Sequence, residues 1–135
     1  MVIEIIISEL DFHLIEKVRE LRIKSNLSQV ALAHKIGVSE GYIGNIENHK
    51  QNHKLNIRLL NRIALALELK SYIDLFPSKI CSNDLVKIRL SLIDKQKNKN
   101  ENTSTEKIER FSNVSITPLS ENEIIEYETV KRSKK

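Results

Sequence analysis

Apolar and polar positions follow two different rhythms along this chain. From about Asp11 the rhythm is helical, with Leu14, Val18 and Leu21 recurring at i, i+4 and i+7. Ser28 is placed to cap a second helix that carries Val30, Leu32, Ala33 and Ile36 and stops at Gly37. Ser39 reads as the cap of a third, with Tyr42, Ile43 and Ile46 on its apolar side. Asn56 caps a fourth, in which Leu59, Leu60, Ile63, Ala64 and Leu67 form one stripe. Ser71-Tyr72-Ile73-Asp74 is a capping box for a last short turn, closed by Pro77. Short helices joined by connections of a few residues predict an all-α fold, a compact five-helix domain over residues 9–78, with a C-terminal extension over 79–135.

Outside that unit the pattern changes. Residues 83–94 read as a sixth helix, with Leu85, Ile88 and Leu92 on one side. Gln96 to Lys107 holds no apolar residue and reads as a linker or disordered tract. Phe111–Leu119 and Ile124–Val130 alternate loosely, as half-buried strands do, or form a tail with scattered apolar residues. Five of the six residues from Val2 to Ile7 are apolar, too many to leave in water on a small domain. They are expected to form a strand pairing with a C-terminal strand, Phe111–Leu119 or Ile124–Val130, or with their own copy, helping dimerisation. The alternative is an extension of the first helix, with a disordered basic tail after Asp94.

Composition narrows the class. The chain has 135 residues, 40% of them hydrophobic and 30% charged, a balance for a globular domain rather than a membrane one. The single cysteine, Cys81, allows no internal disulfide, so a reducing, cytoplasmic setting is expected. The net charge of +4 favours a polyanionic partner, but residues 1–77 carry 10 Lys/Arg against 9 Asp/Glu. Any nucleic-acid affinity there needs a local basic face, because the total charge does not supply it.

The informative stretch is Gln29 to Asn48. Small Ala33 fits a close helix crossing, Gly37 a sharp turn with positive φ, and Leu32, Ile36, Val38, Ile43 and Ile46 the wedge between two helices. Ser39, Glu40, Gly41, Gly44, Asn45 and Asn48 are left as a slim polar face, fit for a major groove about 12 Å wide.

With these residues the chain resembles the Cro/repressor-type (XRE-like) helix-turn-helix family, typified by phage repressors, over roughly Phe12 to Pro77. The resemblance rests on Glu16–Arg22, Leu27-Ser28-Gln29, Leu32-Ala33, Ile36-Gly37-Val38-Ser39, Tyr42-Ile43 and Ile46-Glu47-Asn48. It implies a lambda-repressor-like five-helix domain that binds operator DNA, usually as a two-fold dimer. It also implies a phosphate contact from Gln29, base-edge contacts from Glu40, Gly41 and Asn45, and a structural pair of Arg22 with Glu47. The chain departs from the family pattern at Asn48-His49-Lys50, where a glycine is common, and in having Gly41 and Gly44 within the reading helix.

The residues assigned to DNA contact are Ser28, Gln29, Ser39, Glu40, Gly41, Tyr42, Asn45, Asn48, His49, Lys50 and Lys54. Asn45 has the donor and acceptor for a bidentate pair with adenine, and Glu40 for accepting from cytosine N4, unless it serves as a first-turn dipole partner. Tyr42 reaches a phosphate or belongs to the core. His49, Lys50 and Lys54, with His53, lie in the polar loop where phosphates would pass. The i, i+4 spacing of His49 and His53 lacks a second ligand pair, so no metal and no cofactor are expected. Cys81 has no Cys–His–acid pattern around it, and no catalytic constellation is visible, so an enzyme is not expected. The expected function is a transcriptional regulator, a repressor binding a palindromic operator as a homodimer, with no membrane association. The alternative is an antitoxin-like interaction module whose tail grips a partner protein.

Overall fold

The computed structural model describes residues 1–51, 53–93 and 106–133, and the side chains of 1–51, 53–93 and 106–130. The elements are β1 (Val2–Ser8), α1 (Glu9–Lys24), α2 (Gln29–Ile36), α3 (Tyr42–Glu47), α4 (Ile57–Ala66), a 3-10 turn (Tyr72–Leu75), β2 (Leu85–Leu92), β3 (Phe111–Pro118) and α5 (Glu121–Ser133).

Local chemistry sets the helical boundaries. The hydroxyl oxygens of Ser8 and Ser28 accept from the amides of Asp11 and Ala31, and Asn56 Oδ1 accepts from Leu59 N at 2.8 Å. Gly37 ends α2 at φ 75°, a conformation that favours glycine, and its amide returns to carbonyls of the last turn. The Ser71 hydroxyl accepts from Ile73 N, opening the turn before Pro77. These helices enclose one core, in which Leu32, Ala33 and Ile63 are fully buried beside Val18, Ile43 and Leu75.

The all-α expectation is wrong, because the chain also builds a three-stranded antiparallel sheet in the order β1-β2-β3. Residues 85–92 are its central strand, not a sixth helix. Val86, Ile88, Leu90 and Leu92 alternate with Lys87, Arg89 and Ser91, a strict period of two. Leu85, Ile88 and Leu92 also fit a helical period, and strand partners decide between the two readings. Val2–Ile7 is indeed a strand, but its partner is β2: Ile3 faces Leu90, Ile5 faces Ile88 and Ile7 faces Val86. On the other side of β2, Ile116 faces Ile88 and Val114 faces Leu90. The apolar residues of β1 and β2 on one sheet face form a second core with Phe12 of α1 and Phe111, while Val114 and Ile116 of β3 stay exposed.

Phe111–Leu119 contains β3, whereas Ile124–Val130 is helical, inside α5. Ser120 and Glu123 bond each other reciprocally, Glu123 N to Ser120 Oγ at 3.2 Å and Ser120 N to Glu123 Oε1 at 3.1 Å. That capping box opens α5 and is visible in the sequence. The polar tract 96–107 lies outside the described residues except for Glu106 and Lys107, which are docked on α1. No helix among the described residues is long and apolar enough to cross a membrane.

Candidate nucleic-acid interface

Helix α3 is anchored from behind by a buried ion cluster. Arg22 of α1 is fully buried and Glu47, at the end of α3, is 2% exposed. Arg22 donates Nε to Glu47 Oε2 and Nη2 to Glu47 Oε1, both at 2.8 Å. Its remaining donors reach the Leu27 carbonyl at 2.7 Å and both oxygens of Glu106, at 2.9 and 3.0 Å. All five N–H groups of the guanidinium thus have an acceptor. Burial alone would lower the Arg22 pKa, but hydrogen bonds and attraction from Glu47, then Glu106, outweigh it and raise it. Gln29 adds Nε2 to Glu47 Oε1 at 3.0 Å.

Glu106 was not among the residues singled out from the sequence, and neither was Arg19. Arg19 is 5% exposed, lies 3.7 Å from both Glu47 and Glu106, and donates to the carbonyls of Lys107 and Ile108 at 2.8 and 2.6 Å. Two buried arginines therefore face two carboxylates, one from α3 and one from the segment that leads into β3. Glu106 lies in a polar tract whose docking depends on tertiary structure, so no local signal marked it.

The assigned residues divide on this scaffold. Ser39, Glu40, Gly41 and Asn45 are exposed at the start and along the outer side of α3, with Glu40 Oε1 3.1 Å from His34 Nε2. Lys50 and Lys54 are also exposed, the latter with Nζ 3.8 Å from Asp11. Ser28 is buried as the α2 cap, and Gln29 is half-buried against Glu47. Tyr42 is half-buried and packs on the helical core. Asn48 is half-buried, and its Oδ1 accepts from Lys50 N at 3.0 Å.

Three expectations need correction. Ser39 does not cap α3 through its side chain: Gly41 is the cap residue, with no side-chain bond, and the Ser39 carbonyl accepts from Tyr42 N. Gly41 therefore stands outside the helix. Gly44 does not belong to the outward face alone, since a Cβ there would meet Gln29 Oε1 at 3.0 Å. Its lack of a side chain leaves room for the Gln29 amide group that bonds Glu47.

His49 is the third. Its side chain is only 2% exposed, with Nε2 2.7 Å from Glu16 Oε2 and its ring 5.0 Å from that of Phe12. Glu16 also accepts from Arg110, next to Phe111. Burial pushes the Glu16 carboxyl up, but bonds from His49 and Arg110 more than offset this and hold it below its ordinary value. The His49 side chain thus ties the loop after α3 to α1 and β3 and is buried rather than turned to solvent.

A helix whose outer side is exposed and whose inner side is fixed by α2 and α1 is the arrangement of a DNA-reading helix-turn-helix. Residues 18–72 match the family model described as Helix-turn-helix. These residues belong to the XRE-type helix-turn-helix family. The helix-turn-helix domain makes the chain a DNA-binding protein of the transcription-regulator class. Among solved structures, the chain is similar to the restriction-modification controller protein C.AhdI from Aeromonas hydrophila. The identity is 30%, covering 47% of this chain and 92% of that one, with a TM-score of 0.41. No curated protein matches the chain.

Proposed function

We propose that this protein is a cytoplasmic repressor that binds a palindromic operator as a homodimer, inserting the outer side of α3 into the major groove. The observation that carries this reading is the exposure of Ser39, Glu40 and Gly41 just before α3 and of Asn45 on it, the helix being held by the Arg22–Glu47–Gln29 bonds. Asn45 reads a base, while Lys50 and Lys54, exposed beyond the helix, grip phosphates. Leu65, Tyr72, Ile73 and Phe76 form exposed apolar surface on α4 and the turn after it, which supports self-association. In this reading residues 9–78 hold DNA, and the sheet and α5, built from 79–135 with β1, form an appended unit. Selection of bound sequences from random duplex DNA tests it. An inverted repeat is expected, and Asn45→Ala should relax one position within it at a cost of about 1–3 kcal/mol. Lys50→Ala should weaken all duplexes alike; recovery of no preferred sequence would overturn the reading.

A second reading, an antitoxin-like module whose C-terminal unit grips a partner protein, is favoured by the exposure of Val114, Ile116, Ile125 and Val130 on β3 and α5. It predicts that operator binding survives substitution of these residues while capture of the partner fails.

A further inference from the structure

Glu9 is the first residue of α1, and His13 follows one turn later on the same side of the helix. Cys81 reaches them from the segment between the 3-10 turn and β2. One donor atom from each of the three lies within 4.8 Å of the other two, and all three residues are half-buried. The surrounding backbone is fastened. Glu9 N donates to the Asp84 carbonyl at 2.8 Å, and Asn83 Nδ2 donates to Glu9 Oε2 at 3.2 Å. Cys81 forms no disulfide.

We propose that Glu9, His13 and Cys81 form a binding site for a zinc-type divalent transition-metal ion, with water completing a four-coordinate shell. The donor set selects the class: a thiolate with an imidazole suits zinc or cobalt, whereas calcium and magnesium take oxygen ligands. Around a tetrahedral ion with bonds of about 2.0–2.3 Å, ligand atoms stand about 3.5 Å apart. Closure therefore needs a contraction of about 1 Å from side chains of which two already share a helical turn. Asn83 holds the carboxylate as outer partners of metal ligands do. Binding breaks the S–H bond, forms the metal–sulfur bond and releases one proton to solvent, with no redox change. The bound ion joins the first turn of α1 to the segment that enters β2, and so ties the helical core to the sheet.

Cobalt(II) titration of the full-length chain is the test, with zinc as competitor. The expected result is one equivalent bound, a thiolate-to-cobalt charge-transfer band that zinc abolishes, tighter binding at higher pH, and a Tm that rises with free metal. Cys81→Ser should remove the band. Glu9→Gln and His13→Gln should each weaken binding by about 100-fold or more, and Asn83→Ala by about 10- to 100-fold. His53→Ala should leave binding unchanged. Should Cys81→Ser misfold by circular dichroism, alkylation of the wild-type thiol provides the second measurement, and zinc should slow it at least about tenfold. Absence of the band at stoichiometric cobalt, or a band undiminished in both Glu9→Gln and His13→Gln, overturns the proposal. Neither result bears on DNA binding.

Discussion

The helical unit buries Leu32, Ile43 and Ile63 among elements that follow one another closely in the chain, whereas the sheet buries Val86, Ile88 and Leu90 between strands drawn from distant segments. Helix α1 belongs to both, giving Phe12 to the sheet and Leu14 and Val18 to the helices. The ion cluster spans the same divide, since Glu47 comes from α3 and Glu106 from the approach to β3. The comparison shows that the reading helix is fixed from both regions. Its inner end is locked by a charge balance to which the segment before β3 contributes one of the two carboxylates, so the C-terminal part is structurally continuous with the DNA-binding part.

The sharpest way to break this arrangement is to unbalance the cluster. Glu47→Ala should cost about 3–5 kcal/mol of stability, because Arg19 and Arg22 would share one remaining carboxylate in a buried setting. Glu106→Ala should also destabilise, by less since Glu106 is more exposed, and denaturant unfolding followed by circular dichroism measures both. If Glu106→Ala matches wild type, the Glu106 carboxylate adds nothing to the lock on α3.

Ile88→Ala attacks the sheet alone. Its side chain is fully buried at the centre of the middle strand, and its loss should cost about 2–5 kcal/mol. Amide exchange should show protection falling first in β1, β2 and β3. Equal loss in α2 and α4 would mean that both cores unfold as one cooperative unit.

Acid separates the regions through Glu16, which bonds His49 of the loop after α3 and Arg110 before β3. Its carboxyl lies below the ordinary value of 4.5 in the folded protein. The unfolded chain therefore binds its proton first as pH falls, and the stability it contributes is complete above that value and drains away below it. Glu16→Gln should remove this share of the acid sensitivity, measurable as a flatter dependence of unfolding free energy on pH between about 5 and 3.

The smallest effect separates a true cap from an apparent one. Ser28→Ala should cost about 1 kcal/mol, because its hydroxyl oxygen accepts from Ala31 N, while Ser39→Ala should be near neutral to stability. Comparable thermal shifts in the two variants would contradict the capping geometry.

The same contrast explains what was legible in the sequence. Ser28, Gly37, Asn56 and Ser71 carry their instructions locally, so the helices of the DNA-binding unit could be read from caps, turn glycine and period. Residues 85–92 satisfy both a helical and a strand period, and only the presence of β1 and β3 on either side selects the strand. The apolar run 2–7 announced a strand but not which partner it takes. On the candidate interface, exposure of Asn45 followed from its place on the polar side of the helix that buries Ile43 and Ile46. The burial of His49 did not, because it depends on Glu16, Phe12 and Phe111, each from another part of the chain. The Ser120–Glu123 capping box was legible and was overridden by an apparent alternation of apolar residues.

The order of the strands also has a consequence for synthesis. A ribosome releases β1 before any of the helices, yet the strand that hydrogen-bonds to it, β2, emerges only after Leu92 has been added. During that interval Val2 to Ile7 travels as an unpaired apolar strand, a segment of the kind that associates with other chains. The helices can meanwhile form from local contacts. The hazardous period in the life of this protein is thus the time needed to translate the helical unit, and slowing elongation across residues 25–92 should raise its aggregation in proportion.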